Sequence, residues 1–351
     1  MDRIIDPISV EKLEAELTPD KRLCDTNKGG NVLYVTDAHD SPNVMLEIGR
    51  LREISFREGG GGSGLAADID DFDTMDVPYK QIVVWDPDAK AILGGYRYIL
   101  GPDVAFDSKG QPILATSHMF HFSDTFIRDY LPHTMELGRS FVTPDYQSSR
   151  AGAKALYALD NLWDGIAAVA AEHPGIIYFF GKMTMYPSYD RPARDLILHF
   201  LWKHFPDPDN LVRPVKPVMP ETSPRLMDLI LKDADFKNDY RNLKEAVRRL
   251  GANIPPLVNS YMNSSPSMKM LGTAINDEFS DVEETGIMIC YNEMYPEKRD
   301  RHFAAAFGEW TRRVRKRFPK ISNEDMEMLK TRRSLRKTAI FERFKRRKNK
   351  A

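Results

Sequence analysis

The sequence predicts a mixed α/β protein, a central sheet flanked by helices that ends in a basic C-terminal segment. Three observations predict it. Apolar runs of strand length alternate with segments whose apolar residues recur at helical spacing. Two early runs, IVVWD and AILGGYRYIL, are separated only by PDAK, which makes them a β-hairpin and rules out an all-parallel sheet. The composition, 42% hydrophobic and 29% charged over 351 residues, supplies a sizeable core in one large domain or two closely joined ones.

The elements follow in order. NVLYVTD (Asn31 to Asp37) reads as a strand. Pro42 to Glu58 places Val44, Leu46, Ile48, Leu51, Ile54 and Phe56 at helical spacing, with Ser41 as a cap and Pro42 at the first helical position. That helix must stop at GGGGSG, Gly59 to Gly64. The glycine run lacks the Lys-Ser/Thr of a P-loop and follows no strand, so it reads as a flexible connection. After the hairpin, HMFHFSD and TMELGRSFVT read as a further strand region. AGAKALYALDNLWDGIAAVAAEH is a long helix, capped by Ser148 or Ser149 and ended by Pro174-Gly175. GIIYFFGKMTM is a buried strand and RDLILHFLWKHF a helix. The proline-rich stretch from Pro206 to Pro224 reads as a linker or an ordered surface excursion. DYRNLKEAVRRLG is a helix with a glycine stop, and ETGIMICYNEM holds a short strand.

Charge is distributed unevenly. The net charge is −1, but from Thr311 to Ala351 there are 17 Lys/Arg against 4 Asp/Glu, and the rest of the chain carries 33 against 47. An acidic body with a basic tail points to an anionic partner. The tail mixes its cations with Leu335, Ile340, Phe341 and Phe344, a pattern that suits an anionic membrane surface or an acidic carrier protein, with a solvated tail as the plain alternative. Nucleic acid is not an expected partner. The two cysteines, Cys24 and Cys290, stand far apart without a CxxC motif, which argues against a disulfide framework, a zinc site or covalent catalysis. No metal is expected. The charged start lacks the apolar region of a signal peptide and no run is long enough to span a membrane, so a cytoplasmic location is expected, with peripheral contact to the inner membrane surface.

The densest chemical signal is DIDDFD, Asp68 to Asp73, with four carboxylates in six residues. Such crowding needs solvent or cations to hold it together. Its spacing lacks the glycine and glutamate of a calcium loop. Arg52 lies upstream, and Arg97 and Arg139 downstream. A network of these arginines with Asp70, Asp73 and Glu136 would make a rigid polar site.

The order of these residues resembles a known family. Asp68-x-Asp70-x-x-Asp73 is similar to the acid-x-Asp-x-x-Asp pattern of the acyl-homoserine-lactone synthases. There it follows an Arg-x-x-x-Phe helix motif, matched by Arg52 and Phe56. It precedes a Gly-x-x-Arg strand, matched by Gly94 and Arg97, and a Glu-x-x-Arg pair, matched by Glu136 and Arg139. The resemblance is closer still to a related hemolysin-labelled group that includes bacterial ornithine-lipid and glycine-lipid N-acyltransferases. That group carries a tryptophan-bearing helix, here Leu162-Trp163-Asp-Gly-Ile166, and a C-terminal block matched by Tyr240-Arg241, Ile254-Pro-Pro-Leu257 and Arg299 to Phe303. The resemblance runs from about Asn31 to Phe303.

It implies a GNAT-like acyltransferase core over 31–205, a family-specific C-terminal part over 206–310 that could be a second GNAT-like lobe, and the basic tail over 311–351. The implied reaction transfers a long-chain fatty acyl group, 3-hydroxylated or not, to the α-amine of glycine or ornithine in lipid biosynthesis. A partner O-acyltransferase would complete the lipid. No cofactor is held permanently, and the donor is acyl carrier protein or coenzyme A. The GNAT loop that grips coenzyme A pyrophosphate would fall at QSSRAGAKA, with Gln147 opening it and Gly152 and Ala153 closing it. Arg150 stands where its first glycine belongs, which favours acyl carrier protein. Glu136, Asp70 and Asp73 are the candidate bases, with Asp68 beside them. Arg97 or Arg139 would pair with the acceptor carboxylate, and Arg52 would tie the acidic turn in place. Phe56, Phe72, Phe120, Phe122 and Trp163 could line an acyl tunnel or simply fill the core. The alternatives are an acyl-homoserine-lactone-like signal synthase and a non-catalytic lipid- or carrier-binding protein.

Overall fold

A computed structural model describes residues 1–147 and 153–348. A short helix α1 (Val10–Glu16) leads into strands β1 (Arg22–Asp25) and β2 (Val32–Thr36), then helix α2 (Pro42–Glu58) and the single-turn α3 (Asp71–Thr74). The hairpin β3 (Lys80–Asp86) and β4 (Ala91–Leu100) follows, with β5 (Phe120–Phe122) and β6 (Thr134–Val142) after it. Helix α4 (Ala153–Glu172), strand β7 (Tyr178–Met185), helix α5 (Arg191–His204) and strand β8 (Val212–Pro214) come next. Helices α6 (Pro224–Ile230), α7 (Phe236–Arg249) and α8 (Pro256–Met262) precede β9 (Lys269–Asn276) and β10 (Val282–Cys290). Two long helices close the chain, α9 (Pro296–Arg317) and α10 (Asn323–Lys348).

Eight strands form one sheet in the order β1-β2-β3-β4-β6-β7-β10-β9, and β5 pairs with β8 separately. Every pair in the large sheet is antiparallel except β6 with β7. The segment 206–310 therefore gives β9 and β10 to the same sheet as the strands before it. Both faces are covered, which is why β3 reads as a continuous apolar run. Val83 and Trp85 face α1 and α2, while Ile82 and Val84 face the core around α4.

Some local expectations are revised. Ser41 occupies the N-cap position of α2, but its hydroxyl is engaged with Asp40 and Lys21. Glu16 of α1 caps the helix instead, accepting from Asn43 N at 3.1 Å and Val44 N at 2.9 Å. The glycine-rich loop is anchored rather than loose: the Glu53 carboxylate accepts from Ser63 N, Ser63 Oγ and Gly64 N at 2.8–3.0 Å. The proline-rich stretch is an ordered excursion whose Val218 N donates to Thr273 O at 2.8 Å. Ser148 and Ser149 lie outside the described residues. The basic tail is helical and partly docked: Met326 is buried, Lys337 Nζ lies 3.9 Å from the Tyr291 ring centroid, and Ile340 and Phe341 pack on the second core cluster.

The close pairing of β4 with β6 explains Gly94. A Cβ there would sit 2.5 Å from the Phe141 carbonyl oxygen, a contact only backbone displacement relieves. Gly94→Ala is expected to destabilise the fold by about 1–3 kcal/mol. Urea unfolding checks this; a midpoint equal to that of the unchanged protein would show that the strands have slack.

Candidate active site

The acidic turn is built to be held from below. Asp70 is the N-cap of α3, accepting from Asp73 N at 3.2 Å, and the Asp73 carboxylate accepts from Asp70 N in return. Asp68 N donates to Gly49 O at 2.9 Å, which docks the turn against α2. Arg52 reaches up from the same helix: Nη1 lies 3.0 Å from Asp73 Oδ2 and Nη2 2.5 Å from Gln81 Oε1. Gln81 Nε2 donates to Asp73 Oδ1 at 2.9 Å. From β4, Arg97 Nη1 bonds Asp70 Oδ1 at 2.6 Å and Asp73 Oδ2 at 3.2 Å. From β6, Arg139 Nε is 2.9 Å from Asp68 Oδ2, and Nη2 is 3.4 Å from Asp70 Oδ2. Three aspartates and three arginines thus form one network, buried except at the partly exposed Asp70 and Arg139. Asp70 and Asp73 join the three arginines as expected and Asp68 joins them, but Glu136 stands outside this network, bonded by Tyr79 and Thr116 instead; the acidic crowding is explained by neutralisation.

The carboxylates differ in environment. Asp73 has both oxygens engaged. Burial pushes its pKa up, but Arg52 and Arg97 outweigh burial and hold it at about 2. Arg97 is raised above its ordinary range: burial works against its charge, and Asp73 and Asp70 overcome that. Glu136 sits at the other extreme. It is buried on β6, where Tyr79 Oη donates to Oε2 and Thr116 Oγ1 donates to Oε1 at 2.6 Å. Burial raises its pKa, and the two hydroxyls only partly offset this.

β6 is the organising strand. Between Gly95 and Arg97 its register against β4 slips by one residue, a β-bulge at Arg139 and Ser140. Arg139 takes a left-handed φ of 48°, unusual for a residue with a side chain. On the other edge β6 pairs with β7 only over Thr134 to Glu136, after which the two strands part. Two cavities meet at this opening. One, of about 330 Å³, is walled by Asp68, Asp70, Arg97, Thr116 and Glu136 and is the more polar of the two. The other, of about 570 Å³, is walled by Phe56, Tyr96, Phe141, Leu159, Leu257 and Val258, and is mainly apolar. Leu137, Gly138, Arg139, Lys182 and Phe279 border both.

Phe56 lies on the wall of the larger cavity and Phe72 on that of the smaller. Phe120, Phe122 and Trp163 are core residues, as the plainer reading of these aromatics holds. Arg52 and Asp73 line neither cavity and hold the turn. Gln147 donates to Val142 O at 2.6 Å, Gly152 lies outside the described residues, and Ala153 is the first residue of α4. Both cysteines are buried, and burial pushes both thiols up to about 12. Tyr79, Gln81, Thr116 and Lys182 are the site residues that sequence reasoning missed. Only Lys182 left a signal, as the one ionisable cation inside the apolar run GIIYFFGKMTM.

Among the described residues, no helix is long and apolar enough to cross a membrane. The acetyltransferase (GNAT) domain family matches residues 51–156, the span from Arg52 to the start of α4. A glycine N(alpha)-acyltransferase of Bacteroides thetaiotaomicron is 61% identical over 303 residues, covering 86% of this chain and 90% of that protein. One from Phocaeicola vulgatus is 60% identical over 302 residues, covering 86% and 93%. A solved CoA-dependent acyl-homoserine lactone synthase, BjaI, with SAM and isopentyl-CoA aligns at 13% identity with a TM-score of 0.35, covering 79% of this chain and 90% of that one. The extent of identity with the two acyltransferases, together with the GNAT match over the site, places this chain in the GNAT acyltransferase family of those glycine N(alpha)-acyltransferases, as an N-acyltransferase.

Proposed function

We propose that this enzyme transfers a long-chain acyl group from acyl carrier protein to the α-amine of glycine, the first acylation of an amino-acid lipid. The observation that carries the reading is the meeting of a small polar cavity and a larger apolar one beside Glu136. The polar cavity takes the amino acid. Asp70, partly exposed at its wall, attracts the ammonium. Arg139 borders both cavities and attracts the carboxylate, whereas Arg97 Nη1 is already shared by Asp70 and Asp73. The apolar cavity takes the thioester end of the donor and the adjoining chain.

Glu136 is the base. A carboxyl raised by burial is better matched to an ammonium than Asp73, held at about 2. The amine nitrogen attacks the thioester carbonyl carbon, forming the C–N bond while the carbonyl pair moves to oxygen. Collapse breaks the C–S bond. Of the two protons the ammonium nitrogen loses, one ends on the departing thiolate and the other passes through Glu136 to solvent.

The test offers purified protein glycine, ornithine and serine with acyl carrier protein and coenzyme A thioesters of the same chain. Glycine with the carrier-protein donor is expected to give the largest kcat/KM. A preference for ornithine, or for coenzyme A, would overturn the corresponding part of the proposal.

The exposed cations of α9 and α10 would hold the enzyme on an anionic membrane surface, where an N-acyl product can leave and a partner O-acyltransferase can act on it. Arg332 and Arg336 are exposed on α10, unlike the buried Arg333 and Lys337. Replacing both by alanine is expected to lower co-sedimentation with anionic vesicles by on the order of tenfold. Unchanged sedimentation would remove the membrane from the proposal.

A further inference from the structure

We propose that Lys182 is a catalytic residue whose ammonium stabilises the oxyanion formed when the acceptor amine adds to the thioester carbonyl. The inference rests on the acyl-transfer reading above and adds a residue to it.

The position follows from the sheet. β6 and β7 pair only through Glu136 opposite Phe180, so Leu137 to Arg139 on one strand and Gly181 and Lys182 on the other flank the opening. The amine enters from the polar cavity and the thioester from the apolar one, so the reacting carbon lies where the two meet. Among the described residues only two cationic side chains border both cavities, Arg139 and Lys182. Arg139 is taken up: it is ion-paired to Asp68 and Asp70, its guanidinium lies 4.6 Å from the Phe279 ring centroid, and in the reading above its outer face goes to the acceptor carboxylate.

Lys182 is different. Its ammonium has three donors, and among the described residues its one hydrogen-bond acceptor is Glu284 of β10. Glu284 is held in turn by Thr184 Oγ1 at 2.7 Å and Asn276 Nδ2 at 3.4 Å, so the lysine is fixed at the opening. Burial disfavours its charge, only partly offset by Glu284, and Arg139 and Arg97 repel it. Among the described residues the ammonium keeps two donors beyond the one given to Glu284, and the oxyanion supplies an acceptor for them as the C–N bond forms. That difference between ground and transition state is what accelerates a reaction. No proton need leave Lys182: the carbonyl pair moves to oxygen, is stabilised there by the ammonium, and returns as the C–S bond breaks.

The test compares the full-length protein with Lys182→Met and Lys182→Arg, using a long-chain acyl thioester of acyl carrier protein. Two reactions are followed, acylation of glycine and the slow hydrolysis of the same thioester with no amine present. Both pass through the same oxyanion. Lys182→Met is expected to lower kcat for each by about 10²–10³-fold with KM for glycine little changed, and Lys182→Arg to recover part of the loss. Lys182→Met leaves Glu284 buried without its cation, so the pair Lys182→Met with Glu284→Gln is measured as well. It removes both charges and is expected to melt near the unchanged protein while showing the same loss of kcat. A kcat within about threefold of the unchanged protein would overturn the proposal. So would a raised KM for glycine at constant kcat, which would make Lys182 a carboxylate binder. If glycine is not acylated but hydrolysis falls as stated, the acceptor assignment fails and the role of Lys182 stands.

Discussion

Glu136→Gln is expected to lower kcat for acyl transfer by about 10²–10⁴-fold, the range for removing a positioned general base. The amide keeps the shape that Tyr79 and Thr116 enclose, so the melting temperature is expected to stay close to that of the unchanged protein. Glu136→Ala is expected to abolish transfer as well, but it leaves two buried hydroxyls without an acceptor and is the less clean variant. The pH dependence supplies a second check. Because burial raises the Glu136 pKa in the folded protein, its base form appears only above the ordinary glutamate range. The rising limb of kcat/KM against pH should therefore lie above the ordinary carboxylate range and vanish in Glu136→Gln. Full activity in a folded Glu136→Gln protein would remove Glu136 from the mechanism. The same raised pKa acts on stability in the opposite sense to a salt bridge. Its contribution is complete below the unfolded pKa and is lost as pH rises through the folded one.

Asp73→Ala is expected to be the most destabilising change at the site, by about 3–5 kcal/mol, because it leaves Arg52 and Arg97 buried beside a missing charge. Its activity loss follows from a displaced acidic turn rather than from lost chemistry, since Asp73 lines neither cavity. Urea unfolding of Asp73→Ala and Asp73→Asn separates the two effects. Asn keeps one acceptor oxygen, enough for the bond from Gln81, and should recover part of the stability. The pH sign is fixed by the depressed pKa of about 2. The stabilisation is present above the unfolded aspartate value of about 4 and is lost as pH falls towards 2. Acid unfolding of Asp73→Ala should consequently be less steep over that window. An Asp73→Ala protein as stable as the unchanged one would mean that the arginines find other partners.

Much of this site is legible in the sequence because its chemistry is local. The acidic turn, Phe56 and the three arginines follow a fixed order along the chain, and the crowding of like charge demands cations. Helix α2 and the β3–β4 hairpin are equally plain, from apolar spacing closed by glycines and from a short turn between two apolar runs. What was not legible depends on distant pairing. Tyr79 and Thr116 matter because they converge on Glu136, from 57 and 20 residues away. Lys182 matters because β7 parts from β6 at that point, and its partner Glu284 is 102 residues on. Strand β9 was missed because PSMKMLGTAIN mixes polar and apolar residues without strict alternation, and it becomes a strand by pairing with β10. The tail is helical and docked for a similar reason: Tyr291, Phe303 and Phe307 supply an aromatic bed for Lys337 that no local pattern announces.

The proposed reaction joins an acyl chain from one cavity to glycine in the other. Mass spectrometry of lipid extracts from a host expressing this chain, beside the same host expressing Glu136→Gln, measures its product. New N-acyl glycine lipids are expected in the first and none in the second, with the glycine nitrogen traced by isotopic label. N-acyl lipids bearing a different head group, or equal amounts of N-acyl glycine in both hosts, would contradict it.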